Sequence, residues 1–291
     1  FFFVGIARIV FRAESRKRII NLHIFDYKWA NIFSLVCLRI VAHKLVITIH
    51  DVNCFRAEDT IIAQQFRMKI LFKLSDFVMT HSSQASKELF GNGLDPLKLQ
   101  ELPMGLPQNK TRKSQFVTSD SFRFLIVGAL KRSKGIDLAI HSFAKVIEKF
   151  PNINLKVIGS DVDNIFSELL SMSEDFNFGE SFEIKNVFLT DSEFSEQIVS
   201  SNCVILPYTN IYQSHVLLEV ISRSVPVITS DLVGFTEVLG AQGNYFKSGS
   251  SNDLSQKMIN VIENYNNELV KSEKIRLHFA SSVKDVCIFK K

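Results

Sequence analysis

The chain has 291 residues, 46% of them hydrophobic and 22% charged, with a formal net charge of +4. That composition excludes a disordered or low-complexity chain and supplies enough apolar material for the cores of two ordinary domains. The charge is only mildly basic, so no nucleic-acid partner is expected. Four cysteines (Cys37, Cys54, Cys203, Cys287) lie far apart with no CxxC pair. They read as reduced thiols of a cytoplasmic protein rather than as a zinc site.

The apolar runs at 1–11 and 32–49 are broken by Arg8 and by Arg39, His43 and Lys44, so no transmembrane helix is expected. The chain starts without Met, and its start reads as a truncation inside a folded domain. Two basic clusters stand out: Arg12, Arg16, Lys17 and Arg18, then Lys110, Arg112 and Lys113. Each is either a solvated face or a site of loose contact with anionic lipid at the inner membrane face.

Short β-rich runs alternate with longer amphipathic ones along the whole chain, which is the pattern of βαβ units and a parallel sheet. In the first half, strands are predicted at 19–24, 45–50, 77–80 and 99–102. Helices are predicted between them at 29–41, 60–74 and 83–90, with Ser82 or Ser83 opening the last one. Residues 107–121 are polar and aperiodic and read as a linker. The domains are therefore expected at 1–106 and 122–291.

The second half opens with a strand at 122–127. A helix follows Lys134–Gly135, because Ile136, Ala139, Ile140, Phe143 and Ile147 fall at helical spacing. A strand at 155–158 ends at Gly159, with further helices at 162–172 and 191–200 and a strand at 187–189. A strand at 204–207 then leads into a helix over 215–223, followed by a strand at 226–229 and one more short helix.

Three places carry chemistry. Strand, Gly128, Lys134–Gly135 and helix put a turn and cations at the carboxyl end of a parallel strand, the edge where open α/β sheets bind ligands. Lys134, with Lys131 or Arg132 assisting, is suited to a diphosphate there; the alternative is an ordinary solvated loop. The 215–223 helix begins at a candidate N-cap, Ser214, and offers free N–H groups to an anion. His215 and Glu219 share one face of it, and Val216, Leu217, Val220 and Ile221 form the expected buried stripe. Glu219 is either a ligand for sugar hydroxyls or a plain surface glutamate. In the first half His50 ends a strand and is followed by Asp51, a good position for touching a substrate. His23 reads as structural, and His81 as either a ligand contact or a helix cap.

These segments, in this order, resemble family 4 of the retaining GT-B glycosyltransferases, the group that builds bacterial capsules, exopolysaccharides and lipopolysaccharide. NLHIFDY, VITIHDVN, FVMTHSSQASKEL and ELPMG resemble pieces of the family's first domain. FLIVGALKRSKGIDLAI resembles its phosphate-binding segment, and LPYTNIYQSHVLLEVISRSVPVITSD its donor-binding segment.

The resemblance implies an α/β fold of the GT-B type, two Rossmann-like domains facing an interdomain cleft, with the first domain incomplete. It implies transfer of a sugar from a nucleotide diphosphate sugar to a glycan or lipid-linked acceptor, with retention and without metal or cofactor. Gly128, Arg132, Lys134, Ser214, His215 and Val216 would face the donor's diphosphate. Glu219 would hold the ribose, and Gly159 with residues 187–189 the base. His50 would meet the transferred sugar. The chain departs from the family pattern at Ala129, where Arg is common, and at Ile211, where a glutamate is common. Those departures leave open a non-catalytic protein that binds nucleotide sugar. An epimerase-like enzyme is disfavoured, since no Gly-x-Gly-x-x-Gly fingerprint is present.

Overall fold

A computed structural model describes residues 19–24, 26–50, 52, 61–102, 104–107 and 121–284. Both basic clusters, Cys54, Cys287, Asp51 and most of the 107–121 segment lie outside the described residues. The chain divides into two compact units, Phe1–Met104 and Gly105–Lys291.

The first unit runs β1 (Ile19–Ile24), α1 (Trp29–Val41), β2 (Lys44–Ile49), α2 (Ile61–Leu74), β3 (Phe77–Thr80), α3 (Ser83–Gly91) and β4 (Leu99–Glu101). Its four strands are parallel and lie in chain order, β1-β2-β3-β4. Strand β2 is a continuous apolar run because both its faces are covered: Leu45, Ile47 and Ile49 are fully buried, and Val46 nearly so. α3 starts where the sequence signals it. The Ser82 hydroxyl accepts a hydrogen bond from the Ala85 N–H at 3.2 Å.

The second unit runs β5 (Phe122–Val127), α4 (Ile136–Ile147), β6 (Ile153–Gly159), α5 (Phe166–Asp175), β7 (Phe182–Asn186), α6 (Asp191–Ser200) and β8 (Cys203–Leu206). It continues with α7 (His215–Ser222), β9 (Val227–Ser230), α8 (Val233–Leu239), β10 (Asn244–Phe246), α9 (Ser251–Glu263) and α10 (Tyr265–Lys284). All six strands are parallel, in the order β10-β9-β8-β5-β6-β7. Counted from β5, this is the doubly wound order, and it reverses between β5 and β8. The core joins Phe124 and Ile126 of β5, Ile140 and Phe143 of α4, and Leu254, Met258 and Val261 of α9. Each such side chain contributes about 1.5–3 kcal/mol on leaving water.

Three expectations need correction here. The strand expected at 187–189 is instead β7 at Phe182–Asn186. Its pairing with β6 ends at Gly159 and Asn186, and beyond that point Phe188 is exposed. α5 begins at Phe166 rather than near 162, because the Asp161 carboxylate accepts from the N–H groups of Ile165 and Phe166, both at 3.0 Å. The 215–223 helix is buried all round beyond its first turn, so its stripe includes Leu218, while Val216 is only half-buried.

Candidate functional site

The reversal of strand order places the loops after β5 and β8 beside each other. Gly128, directly after β5, has φ +99°, a region that disfavours any side chain. A Cβ at Gly128 would stand 3.0 Å from the Lys134 Nζ and 3.6 Å from the Val216 Cγ2. So Gly128 is the floor on which Lys134 and the first turn of α7 meet. Lys134 ends a single 3₁₀ turn, Arg132–Lys134, closed by Gly135 in the left-handed conformation at φ +57°. A Cβ at Gly135 would stand 2.2 Å from the Pro207 carbonyl oxygen. The Lys-Gly pair is thus a lysine held by a glycine pressed against the end of β8.

The Lys134 ammonium is half-buried and stands 5.3 Å from the centroid of the Tyr208 ring. No carboxylate among the described residues lies within ion-pair distance of it. Burial pushes its pKa down to about 8. A desolvated cation without an anion is costly and is stabilised by one that arrives from outside.

Across this floor α7 presents its N-terminus. The Ser214 hydroxyl caps it by accepting from the Leu217 N–H at 3.1 Å. The remaining first-turn N–H groups lie beyond the helix's own ladder and carry the positive end of its dipole. Gly128, Lys134, Ser214 and Val216 are therefore brought together, and their joint character is that of an anion site.

The other expected donor residues are placed differently. Arg132 is exposed and forks onto Glu168, its two terminal nitrogens at 2.8 and 3.3 Å from the carboxylate oxygens. Its guanidinium is engaged with α5 and does not join Lys134. Gly159 packs backbone on backbone: a Cβ there would stand 2.1 Å from the Gly128 carbonyl oxygen. Glycine at 159 lets the ends of β5 and β6 approach.

Glu219, which helical spacing put on an outer face, is buried. Its carboxylate pairs with the guanidinium of Arg223, one turn on and itself fully buried, and lies 3.4 Å from the His215 Nε2. Arg223 also donates to the Glu219 carbonyl oxygen (2.9 Å), the Ser222 hydroxyl (3.0 Å) and, on α6, the Ser195 hydroxyl (2.6 Å). Burial opposes the charge of Glu219, but the His215 hydrogen bond and Arg223 outweigh it and hold the carboxyl below its usual range. His215 is raised in turn, chiefly by its hydrogen bond to Glu219. Arg223 escaped the reading of the sequence. Its one local signal is the spacing of four from Glu219, which usually marks a surface pair.

In the first unit, the parallel register sets three histidines at the carboxyl ends of adjacent strands. The His23 Nδ1 lies 2.8 Å from the His50 Nε2 with the rings stacked, and the His81 ring centroid is 5.2 Å from that of His50. The His81 Nδ1 donates to the Leu102 carbonyl oxygen at 2.8 Å. Burial first, then the neighbouring His81 and His23, lowers the His50 pKa to about 4, so its imidazole is neutral near pH 7. His23, expected to be merely structural, is a direct partner of His50.

The profile of the family described as glycosyl transferases group 1 matches residues 107–276. The chain belongs to that family. A characterised neighbour in structure is the Anabaena protein HepE, solved in complex with UDP. It has TM-score 0.76 and 15% identity over 96% of this chain and 80% of its own. The structure of TarM gives 0.74 and 14%, covering 97% of this chain and 57% of that one. These likenesses establish the fold of group 1 members, the α/β GT-B type built on two parallel-sheet Rossmann-like domains. Among curated relatives, an uncharacterized glycosyltransferase of Methanocaldococcus jannaschii is 25% identical over 183 residues, 56% of this chain and 41% of that protein. The phosphatidylinositol N-acetylglucosaminyltransferase gpi3 subunit of Schizosaccharomyces pombe is 20% identical over 236 residues, 81% of this chain and 51% of that protein. The chain thus spans about half the length of these relatives or less. Among the described residues, no helix is long and apolar enough to cross a membrane.

Proposed function

We propose that the chain acts as a glycosyltransferase that moves a sugar from a nucleotide diphosphate sugar to a glycan or lipid-linked acceptor, with the donor held by the second unit. One observation carries the reading. Lys134 is a half-buried cation with no counter-ion among the described residues, set at the strand-order reversal beside a helix N-terminus. A diphosphate supplies the missing charge. Its relatives agree in kind: HepE was solved with UDP and with UDP-glucose, and the fission-yeast relative is named as an N-acetylglucosaminyltransferase subunit.

In this reading the leaving diphosphate gains negative charge in the transition state. Lys134 and the first-turn N–H groups of α7 stabilise it there without reorganising. Glu219 accepts from the ribose hydroxyls, Gly159 lies toward the base, and His50 is assigned to the transferred sugar as a neutral hydrogen-bonding group. Retention of configuration, independence of metal and cofactor, membership of family 4, a cytoplasmic location, and a role in bacterial cell-surface polysaccharide synthesis with peripheral contact to anionic membrane belong to the same proposal. They rest on the resemblance of the segments described above.

Calorimetry with UDP and GDP tests it. Replacing Lys134→Ala removes a charge-assisted contact and is expected to weaken whichever nucleotide binds by about 10- to 100-fold. An unchanged affinity moves the phosphate site elsewhere.

A further inference from the structure

Helix α1 is apolar on two opposite sides. Ile32, Leu35 and Leu38 are buried on the inner one. Trp29, Phe33, Val36 and Ile40 recur at spacings of four, three and four, so they form a single stripe on the outer one. Their exposure runs from 45% at Val36 to 82% at Ile40. Helix α2, which packs beside α1, repeats the spacing: Ile62, Phe66, Lys69 and Lys73, with Ile62 78% and Phe66 59% exposed. The Arg67 guanidinium, 6.0 Å from the Trp29 ring centroid, links the two helices. Neither helix contains an aspartate or glutamate.

Charge decides what such a face takes. Lys69 and Lys73 have no ion-pair partner among the described residues. They border a groove of about 360 Å³ against the Gly93–Lys98 turn. Asp95, the one carboxylate among the groove's described lining residues, is occupied in capping that turn by accepting from the Leu97 N–H at 3.0 Å. A soluble protein rarely leaves three aromatic and three aliphatic side chains together in water. A second copy of the chain on this face would oppose lysine to lysine. An anionic surface with an apolar interior satisfies both halves, aromatic and aliphatic groups below and ammonium groups at the headgroups.

We propose that the outer faces of α1 and α2 form a docking surface for an anionic lipid bilayer. The inference deepens the reading that the chain serves a lipid-linked acceptor in peripheral contact with an anionic membrane, and it rests on that reading. It assigns the contact to described residues rather than to the basic clusters of the sequence.

Trp29 is the sole tryptophan of the chain, so its fluorescence reports the surface directly. Vesicles of phosphatidylcholine with and without phosphatidylglycerol are added to the full chain. Phosphatidylglycerol vesicles are expected to shift Trp29 emission to the blue and to carry the chain in flotation, and pure phosphatidylcholine to do neither. Phe33→Ser with Ile40→Ser, and separately Lys69→Glu with Lys73→Glu, are expected to lower vesicle affinity at least about tenfold. Far-UV circular dichroism and the urea unfolding transition, expected to stay unchanged, report that the variants fold. Flotation without a change at Trp29 overturns this surface while leaving a membrane-bound acceptor standing. No flotation with either vesicle overturns both. Self-association that is lost in the Phe33→Ser, Ile40→Ser variant overturns the lipid assignment in favour of a second copy.

Discussion

At the scale of single residues, the candidate site depends on how burial sets charge. Lys134 is set apart from an ordinary loop lysine by its surroundings: Gly128 beneath it and the Tyr208 ring beside it. With the free-state pKa near 8, an anion binds the protonated form and raises that pKa. Nucleotide diphosphate affinity is therefore expected to be full below pH 8 and to fall above it, by up to about tenfold per pH unit. Calorimetry from pH 7 to 9.5 checks this, and Lys134→Ala should flatten the profile over the same window. The lysine itself was legible from its place between a strand and Gly135. Its desolvation was not, because Tyr208 and Val216 come from segments more than seventy residues away in sequence. The histidines teach the same lesson. His23, His50 and His81 each lie at or next to the end of a predicted strand, yet only the parallel register makes them one cluster.

At the scale of elements, strands β1, β3 and β5 and helices α1 and α6 fall where period and turn residues put them. The misplaced elements have local causes. Asp161 delays α5, and the apolar Val187–Phe188–Leu189 run imitates a strand just past the true one. β10 spans three residues, too few to show a period, and polar residues separate the apolar positions of α9. Least legible was the tie between α6 and α7, because a glutamate and an arginine four apart normally face water. Here Arg223 reaches Ser195 and fills the interface. Arg223→Met should destabilise the second unit by roughly 3–5 kcal/mol, since it strands a buried carboxylate. Combining it with Glu219→Gln should restore most of that loss. Urea unfolding of the two variants decides; equal losses would show that Arg223 matters for its packing alone.

At the scale of the whole molecule, two all-parallel sheets were legible from alternation alone, because buried parallel strands read as apolar runs between amphipathic helices. The core of the second unit has a less obvious property: it is finished by its last elements. Leu254, Met258 and Val261 of α9 lie in the same cluster as Phe124 and Phe143. A chain ending at Ser250 is expected to lose its cooperative unfolding transition and to be cleaved rapidly by protease, which circular dichroism and limited proteolysis measure. The strand order carries this into time. β5 is made first but lies in the middle of its sheet, and its partner β8 follows some eighty residues later. A growing polypeptide therefore displays an unzipped apolar edge while the ribosome adds β6, β7 and three helices. Pairings so distant in sequence close slowly. Emergence from the ribosome is thus the period when this unit is most open to chaperones and to aggregation.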